Sequence, residues 1–396
     1  MCSAVLLFYM AVCALMTLTF GLQRAQIFRS QFRLYGKRVV FLGTPDVAAQ
    51  SLQILNDAAK AGTHDFELVA VVSQPPAPAG RNKKLTNSPV HDLAERLQLP
   101  VHTPESAKDD AFLTMLEALQ PDLCITAAYG NFLPKRFLAI PKLGTLNIHP
   151  SLLPKYRGAA PVQRCLENGD CVSGVSVAET VLKMDAGPLV DQIQVPLTGN
   201  EKAPEFLSDM FVAGTRALLD VLPSYFAGTA TKTPQDDSLA TPANKLSVAE
   251  ARVDFAQTSA TKVHNRVRAF AGWPGTWTMI SIGGAAAERV KIITTVVLSS
   301  SSSSSTTAEA EAEAVSGVVP DRKVMSLIKV QGENDSKSKS EALRVVCGDG
   351  SVLGVLELQP PGKKTMAAKA FVNGLRGATL SWESPPTAEE PGTNGA

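Results

Sequence analysis

Short apolar runs that end in glycine or proline alternate with amphipathic stretches along the first half of the chain. Arg38-Val39-Val40-Phe41-Leu42-Gly43 reads as a buried strand. Pro45 then opens a helix to about Lys60, with Asp46 favourable in its first turn. Glu67 to Ser73 is a second buried strand, and Val90 to Leu97 a short helix. Thr103 is placed to cap a further helix to Leu119, with Pro104 at its first position. Leu123 to Ala127 and Gly144 to Ile148 continue the strand pattern. Strands alternating with helices in this way predict an α/β fold with a parallel, doubly wound (Rossmann-like) sheet.

Gly174 to Ala178 and Leu189 to Pro196 extend the β pattern, and Ala203 to Leu222 reads as a helix. Residues 227–245 are rich in Thr, Asp, Pro and Ala without periodicity, which predicts an interdomain linker. Beyond it the texture changes to a short helix (Ala260 to Phe270), a Trp273-Pro274-Gly275 turn and alternating segments such as Val290 to Val297 and Leu343 to Cys347. These predict a small OB-like β-barrel over 246–382, following a first domain over 39–226. A pure serine run followed by Ala/Glu alternation reads as a low-complexity insertion at 298–316, and 383–396 as a disordered tail.

Composition sharpens this picture at three points. Lys and Arg total 38 against 37 Asp and Glu, a net charge of +1, so the chain does not coat nucleic acid by bulk charge; a local patch remains open. The six cysteines show no CxxC pair or metal spacing and read as reduced thiols. Residues 1–22 carry no charge, and the next stretch holds Arg24, Arg29, Arg33, Lys37 and Arg38 with no acid before Asp46. An apolar run of that length also suits an anchor helix. The Arg-rich, acid-free leader that stops where a strand begins instead predicts a targeting presequence over 1–38, for the mitochondrion first and a plastid second. A processed monomer without stable membrane association is the corresponding expectation.

The densest chemistry lies in Thr145 to Gln163. Asn147 and His149 stand two apart where a strand ends, so both side chains point to one face. A neutral amide donor and an imidazole together suit an oxyanion growing on a carbonyl carbon. Pro150, Pro154 and Pro161 stiffen the following loop, and Ser151, Leu152 and Leu153 offer apolar contacts beside backbone polar groups, a slot for a flat, partly apolar ligand. Asp185, in the tight Met184-Asp185-Ala186-Gly187-Pro188 loop, can orient the imidazole. Taken singly, the Asn-x-His also fits a strand-end cap and Asp185 an ordinary turn residue.

Asn147-Ile148-His149-Pro150-Ser151-Leu152-Leu153-Pro154 with the later Asp185 resembles the folate-dependent formyltransferase family. Lys155-Tyr156-Arg157-Gly158-Ala159-Ala160-Pro161, Gly43-Thr44-Pro45 and Ala79-Gly80-Arg81-Asn82-Lys83-Lys84-Leu85 are similar to the subgroup acting on methionyl-tRNA. So are Arg268-Ala269-Phe270, Trp273-Pro274-Gly275 and Leu358-Gln359-Pro360-Pro361-Gly362-Lys363-Lys364. The resemblance runs from about Val39 to Trp382. It implies formyl transfer from 10-formyltetrahydrofolate to the amine of initiator methionyl-tRNA. Asn147, His149 and Asp185 become the catalytic set, and Ser151, Leu152, Leu153 and Pro154 line the folate site. Arg81, Lys83 and Lys84 in one loop, and Lys363 and Lys364 in the second domain with Arg266 and Arg268, meet tRNA, with domain packing as a competing role for Arg268. No metal is implied. One departure stands out: Pro75-Pro76-Ala77-Pro78 lies where the family has an Asp-Arg pair before Pro-Ala-Gly. Rival readings are an amino-sugar formyltransferase and a non-catalytic RNA-binding protein on the same fold. A dinucleotide oxidoreductase is disfavoured, since Gly43 leads into Thr44-Pro45 and not into a GxGxxG fingerprint.

Overall fold

In the computed structural model, residues 36–80, 82–298, 323–331 and 339–384 are described. Most of the leader, Arg81, nearly all of the serine-rich insertion and the tail beyond Ser384 lie outside them.

The first domain is built on strands β1 (Lys37–Gly43) and β2 (Phe66–Val72), a hairpin of β3 (Ala77–Ala79) and β4 (Lys84–Thr86), then β5 (Val101–His102), β6 (Leu123–Ala127), β7 (Thr145–His149), β8 (Arg157–Gly158), β9 (Val172–Glu179) and β10 (Leu189–Pro196). Its helices are α1 (Asp46–Ala61), α2 (Pro89–Arg96), α3 (Asp110–Ala118), α4 (Lys135–Leu138), α5 (Pro161–Asn168) and α6 (Ala203–Phe226). Seven strands form one sheet in the order β10-β9-β7-β6-β1-β2-β5. Strand alternation divides the core between its two faces. Val39 and Phe41 pack with Leu52, Leu55, Met210 and Leu218 from α1 and α6. Val40 and Leu42 pack with Phe112, Leu116 and Phe137 from α3 and α4. A strand covered on both faces must be apolar throughout, which is why β1 reads as an unbroken apolar run.

The strands expected to form a parallel sheet do so, and the sheet is extended at one edge by an antiparallel pair. β5, β2, β1, β6 and β7 run parallel, but β9 is antiparallel to both β7 and β10. The chain leaves β7 into a long loop and α5, a return that delivers β9 from the opposite end. One difference from expectation concerns α3, which starts at Asp110 and not at Pro104. Asp109 caps it, its Oδ1 accepting the Phe112 N–H at 2.8 Å. Both sites carry start signals, but the buried apolar positions Phe112, Leu113 and Leu116 begin only after the second, so packing selects it. At the termini, Lys37 and Arg38 belong to β1 and not to the leader; Arg38 Nε donates to the Leu119 carbonyl at 2.9 Å.

The second domain contains β11 (Pro242–Ala243) at its approach, α7 (Ala260–Ala269), β12 (Thr276–Ile282), β13 (Glu288–Leu298), β14 (Val324–Gln331), β15 (Lys339–Val346), β16 (Val352–Gln359), β17 (Met366–Ala367), α8 (Ala368–Asn373) and β18 (Leu380–Glu383). Its sheet runs β13-β12-β18-β14-β15-β16-β17, and β13 also pairs with β16, closing an antiparallel barrel with the short β17 added beside β16. Phe255 meets Trp382 edge-on at 5.5 Å inside this core. Glu383 lies in β18, so the tail begins later than residue 383.

The two domains meet through α5 and α7. Asn265 fills the space a Cβ on Gly169 would need. Arg164 pairs with Glu167 and Glu250, and Arg266 with Glu167. Residues 227–245, expected as a linker, are not a free tether. Thr233 exchanges two backbone hydrogen bonds of 2.8 Å with Leu189, and β11 pairs parallel with β8.

Candidate active site

Asn147 and His149 sit at the C-terminal end of β7 and share one face. Thr126 on neighbouring β6 donates its hydroxyl to Asn147 Oδ1 at 2.8 Å, which leaves the Asn147 amide N–H groups for a ligand. His149 is 5% exposed. Its Nε2 lies 2.9 Å from the Tyr156 carbonyl oxygen. That oxygen can only accept, so Nε2 carries a proton in this arrangement. Its Nδ1 faces Asp185 Oδ1 at 3.8 Å, an ion-pair separation longer than a hydrogen bond.

Asp185 reaches this point from the loop between β9 and β10. The β7–β9 register sets Leu146 opposite Glu179 and His149 opposite Ser176, so β9 ends beside the start of β7. The loop therefore folds back along the sheet to present its carboxylate. Three features hold it there. Asp185 adopts φ +49°, a left-handed conformation that aspartate tolerates better than most residues. A Cβ on Gly187 would run into the Glu179 carbonyl. Gly158 on β8 donates its N–H to Asp185 Oδ2 at 2.9 Å.

The four residues expected to line a flat-ligand slot divide into two pairs. Ser151 and Leu153 are turned inward, 1% and 3% exposed, which corrects the expectation of accessible apolar contacts at both. Ser151 Oγ donates to the Lys155 carbonyl, and the Leu153 N–H donates to Ser176 Oγ. They shape the loop from within because the antiparallel β9 lies directly beneath it. Leu152 and Pro154 are half-buried and remain available to a ligand. Exposed Leu182, Met184 and Leu239 add apolar surface near Asp185, where Lys183 pairs with Asp237 across the gap between their segments.

Lys83 and Lys84 project from the exposed β3–β4 hairpin, and Lys363 and Lys364 from an exposed turn after β16 that Gln359 Nε2 closes onto the Lys363 carbonyl. Arg268 is elsewhere: 3% exposed at the domain interface, with Nη1 at 3.6 Å from Glu201, where burial lowers its pKa. It packs the interface and does not present a charge to a phosphate. Among the described residues no group of three His, Cys, Asp or Glu side chains is placed to hold a metal ion.

The contributions of Thr126, the Tyr156 carbonyl, Gly158 and Gln235 are not evident in the sequence. Thr126 leaves a trace, a hydroxyl in the otherwise apolar β6. Gly158 lies inside a motif already singled out. Gln235 Nε2 donates to the carbonyls of Asp185 (2.8 Å) and Gly187 (2.7 Å). Its partners are backbone atoms far along the chain, and no sequence signal marks them.

Comparison with known proteins agrees with this architecture. Residues 37–222 match the formyl transferase family model and 245–376 its C-terminal domain. A methionyl-tRNA formyltransferase of Macrococcus caseolyticus is 37% identical over 339 residues, covering 86% of this chain and 96% of the relative. One from Chromohalobacter salexigens is 39% identical over 85% of this chain and 93% of its own length. Among solved structures, HypX from Aquifex aeolicus in complex with tetrahydrofolic acid aligns with a TM-score of 0.52 at 15% identity, over 86% of this chain and 48% of that one. An N-formyltransferase from Helicobacter canadensis, in complex with folinic acid and dTDP-3-aminofucose, aligns at 0.52 and 15%, over 82% and 99%. At these identities the two structures speak for the fold alone. With both domains matched in order, and relatives above 30% identity along nearly their whole length, the chain belongs to the formyl transferase family.

Proposed function

We propose that this chain transfers the formyl group of 10-formyltetrahydrofolate to the α-amino group of initiator methionyl-tRNA. The observation that carries the reading is the convergence of Asn147, His149 and Asp185 within a chain whose two domains both align with methionyl-tRNA formyltransferases. In this mechanism the methionyl amine attacks the formyl carbon, and the carbonyl oxygen becomes an oxyanion. Asn147, its Oδ1 held by Thr126, donates an amide N–H to that oxygen. Protonated His149 sets a positive charge beside it, with Asp185 as counter-charge. While Nε2 stays on the Tyr156 carbonyl, His149 acts through charge; releasing that carbonyl frees an N–H for the oxyanion or for the departing folate nitrogen. The oxyanion then collapses to the formamide carbonyl and the C–N bond to folate breaks; the folate nitrogen gains one proton and the attacking amine gives one up, so none is consumed overall. Leu152 and Pro154 line the pterin-bearing side. Lys83 and Lys84 approach the tRNA acceptor end, and Lys363 and Lys364 its backbone.

Purified protein with 10-formyltetrahydrofolate, offered charged initiator tRNA or an amino-sugar nucleotide, decides the acceptor. Formylation of the tRNA and not the sugar is expected; the reverse result overturns the reading. Tight tRNA binding without turnover would favour the non-catalytic alternative.

The acid-free basic leader supports work in an organelle, with the mitochondrion as the proposed compartment. Imaging a reporter fused to residues 1–36 tests this. Plastid import would reassign the compartment, and a reporter left in the cytosol would remove the organellar role.

A further inference from the structure

We propose that Gln235 is a positioning residue that sets the Asp185 carboxylate against His149, a role that rests on the formyl-transfer reading. The segment carrying it reads as a tether in sequence, yet it grips both pieces of chain that hold Asp185. On one side, Gln235 Nε2 donates to the carbonyls of Asp185 at 2.8 Å and Gly187 at 2.7 Å. On the other, Gln235 Oε1 accepts from Arg157 Nε at 3.1 Å and Nη2 at 2.7 Å. Arg157 precedes Gly158, whose N–H holds Asp185 Oδ2. The same amide thus fixes the backbone from which the carboxylate projects and the strand that receives it.

The arrangement is reinforced around Gln235. Asp237 accepts from Arg157 Nη1 at 2.7 Å and pairs with Lys183, two residues before Asp185. The Arg157 N–H donates to the Thr241 carbonyl at 2.9 Å, and the Tyr156 N–H to Thr241 Oγ1 at 2.9 Å. Tyr156 is the residue whose carbonyl holds His149 Nε2. Both Asp185 (φ +49°) and Tyr156 (φ +62°) adopt left-handed conformations, which persist only where the surroundings over-determine them. Only a side chain that donates twice and accepts twice at this length serves all four hydrogen bonds. Glutamate lacks the donors, methionine lacks both functions, and asparagine is one methylene short.

Because Asp185 Oδ1 stands 3.8 Å from His149 Nδ1, a small displacement of the loop matters, and misplacement by about 1 Å can cost on the order of 100-fold in rate. The test uses the full chain with Gln235→Met and Gln235→Glu, the second retaining the acceptor for Arg157. Expected is a loss in kcat of about 10- to 100-fold, with KM for methionyl-tRNA and 10-formyltetrahydrofolate changed by less than about 3-fold. The decisive readout is the pairing with Asp185→Asn: if Gln235 acts through Asp185, adding Gln235→Met to that variant lowers kcat by less than about 3-fold further. Multiplying losses, a rise confined to the tRNA KM, or unchanged kcat each overturn the proposal. Amide hydrogen exchange at Gly158 reads the same device without substrate and so separates it from the functional reading. Its protection falls in both variants if the proposal holds, and protection kept at the wild-type level overturns it even where no acceptor has been turned over.

Discussion

Gly158 donates its backbone N–H to Asp185 Oδ2 at 2.9 Å while the other oxygen of the same carboxylate faces His149 Nδ1 at 3.8 Å. The carboxylate is anchored through one oxygen and faces the imidazole with the other. Asparagine can keep the anchor, its carbonyl accepting from Gly158, but then turns an NH2 toward the ring in place of a negative charge. Asp185→Asn should therefore fold as the wild type does and lower kcat by about 10²- to 10³-fold, the range of a lost acid–base group. Its affinity for methionyl-tRNA should stay within about 3-fold. Steady-state kinetics with a filter-binding measurement checks both; equal losses in rate and affinity would remove Asp185 from the chemistry.

The Thr126 hydroxyl fixes which end of the Asn147 amide faces the ligand. Without that hydroxyl the amide is free to turn its oxygen outward, where it repels an oxyanion. Thr126→Val keeps the shape and β propensity of the strand and should lower kcat by about 10-fold. Thr126→Ser restores the donor and should recover most of the activity. Asn147→Ala, which removes the donor altogether, should cost more, about 10²- to 10³-fold. A Thr126→Ser variant no better than Thr126→Val would show that packing, and not the hydrogen bond, governs the loss.

At the domain interface, Arg164 bonds Glu250, whose carboxyl is held at a pKa of about 2, chiefly by that hydrogen bond and against some burial. A carboxylate with a depressed folded pKa stabilises the native state above its unfolded value of 4.5, and the contribution fades as pH falls from there toward 2. Glu250 is partly exposed, so solvent screening keeps the effect to about 1 kcal/mol or less. Glu250→Gln should be less stable than wild type near neutral pH, with the gap closing progressively below pH 4.5. Urea titrations over a pH series measure it, and a gap independent of pH would assign the loss to packing.

The residues that are legible in sequence share a physical reason. β1 and β6 are buried on both faces and read as unbroken apolar runs, and Asn147 and His149 lie two apart on the neighbouring strand, so their convergence follows from the pleat. Asp185 is harder to place beside them, because a loop that folds back along a sheet leaves no periodic trace. The start of α3 is misread in sequence because two capping signals compete and the choice rests on which apolar positions find a core. The chain around Gln235 escapes notice for a related reason. An extended segment whose bonds go to distant backbone carbonyls has neither periodicity nor a partner that composition reveals. The hold of the Tyr156 carbonyl on His149 is likewise a backbone interaction, and it changes the chemistry from a free imidazole donor to one that must first release a carbonyl.

The near-zero net charge makes tRNA binding a matter of placed lysines, and the two pairs should behave differently. Lys363 and Lys364 stand on a turn braced by Gln359 at one end of β16, remote in sequence from Asn147 and His149, and they suit phosphates along a duplex arm. Every phosphate that goes unneutralised should flatten the dependence of log K on log salt by about 0.9. Replacing both with alanine should reduce the slope by about 2 and raise KM for tRNA several-fold, while kcat at saturating tRNA holds within about 2-fold. Lys83 and Lys84 belong to the hairpin that follows β2, in the domain that carries the chemistry, and they suit the single-stranded acceptor end. There the slope per neutralised phosphate is nearer about 0.7, and misplacing the methionyl amine lowers kcat as well as affinity. Binding titrations between about 50 and 200 mM salt, run beside saturating kinetics, separate the two pairs. If the alanine variants of both pairs bound more weakly with no change in slope, neither would be neutralising phosphates.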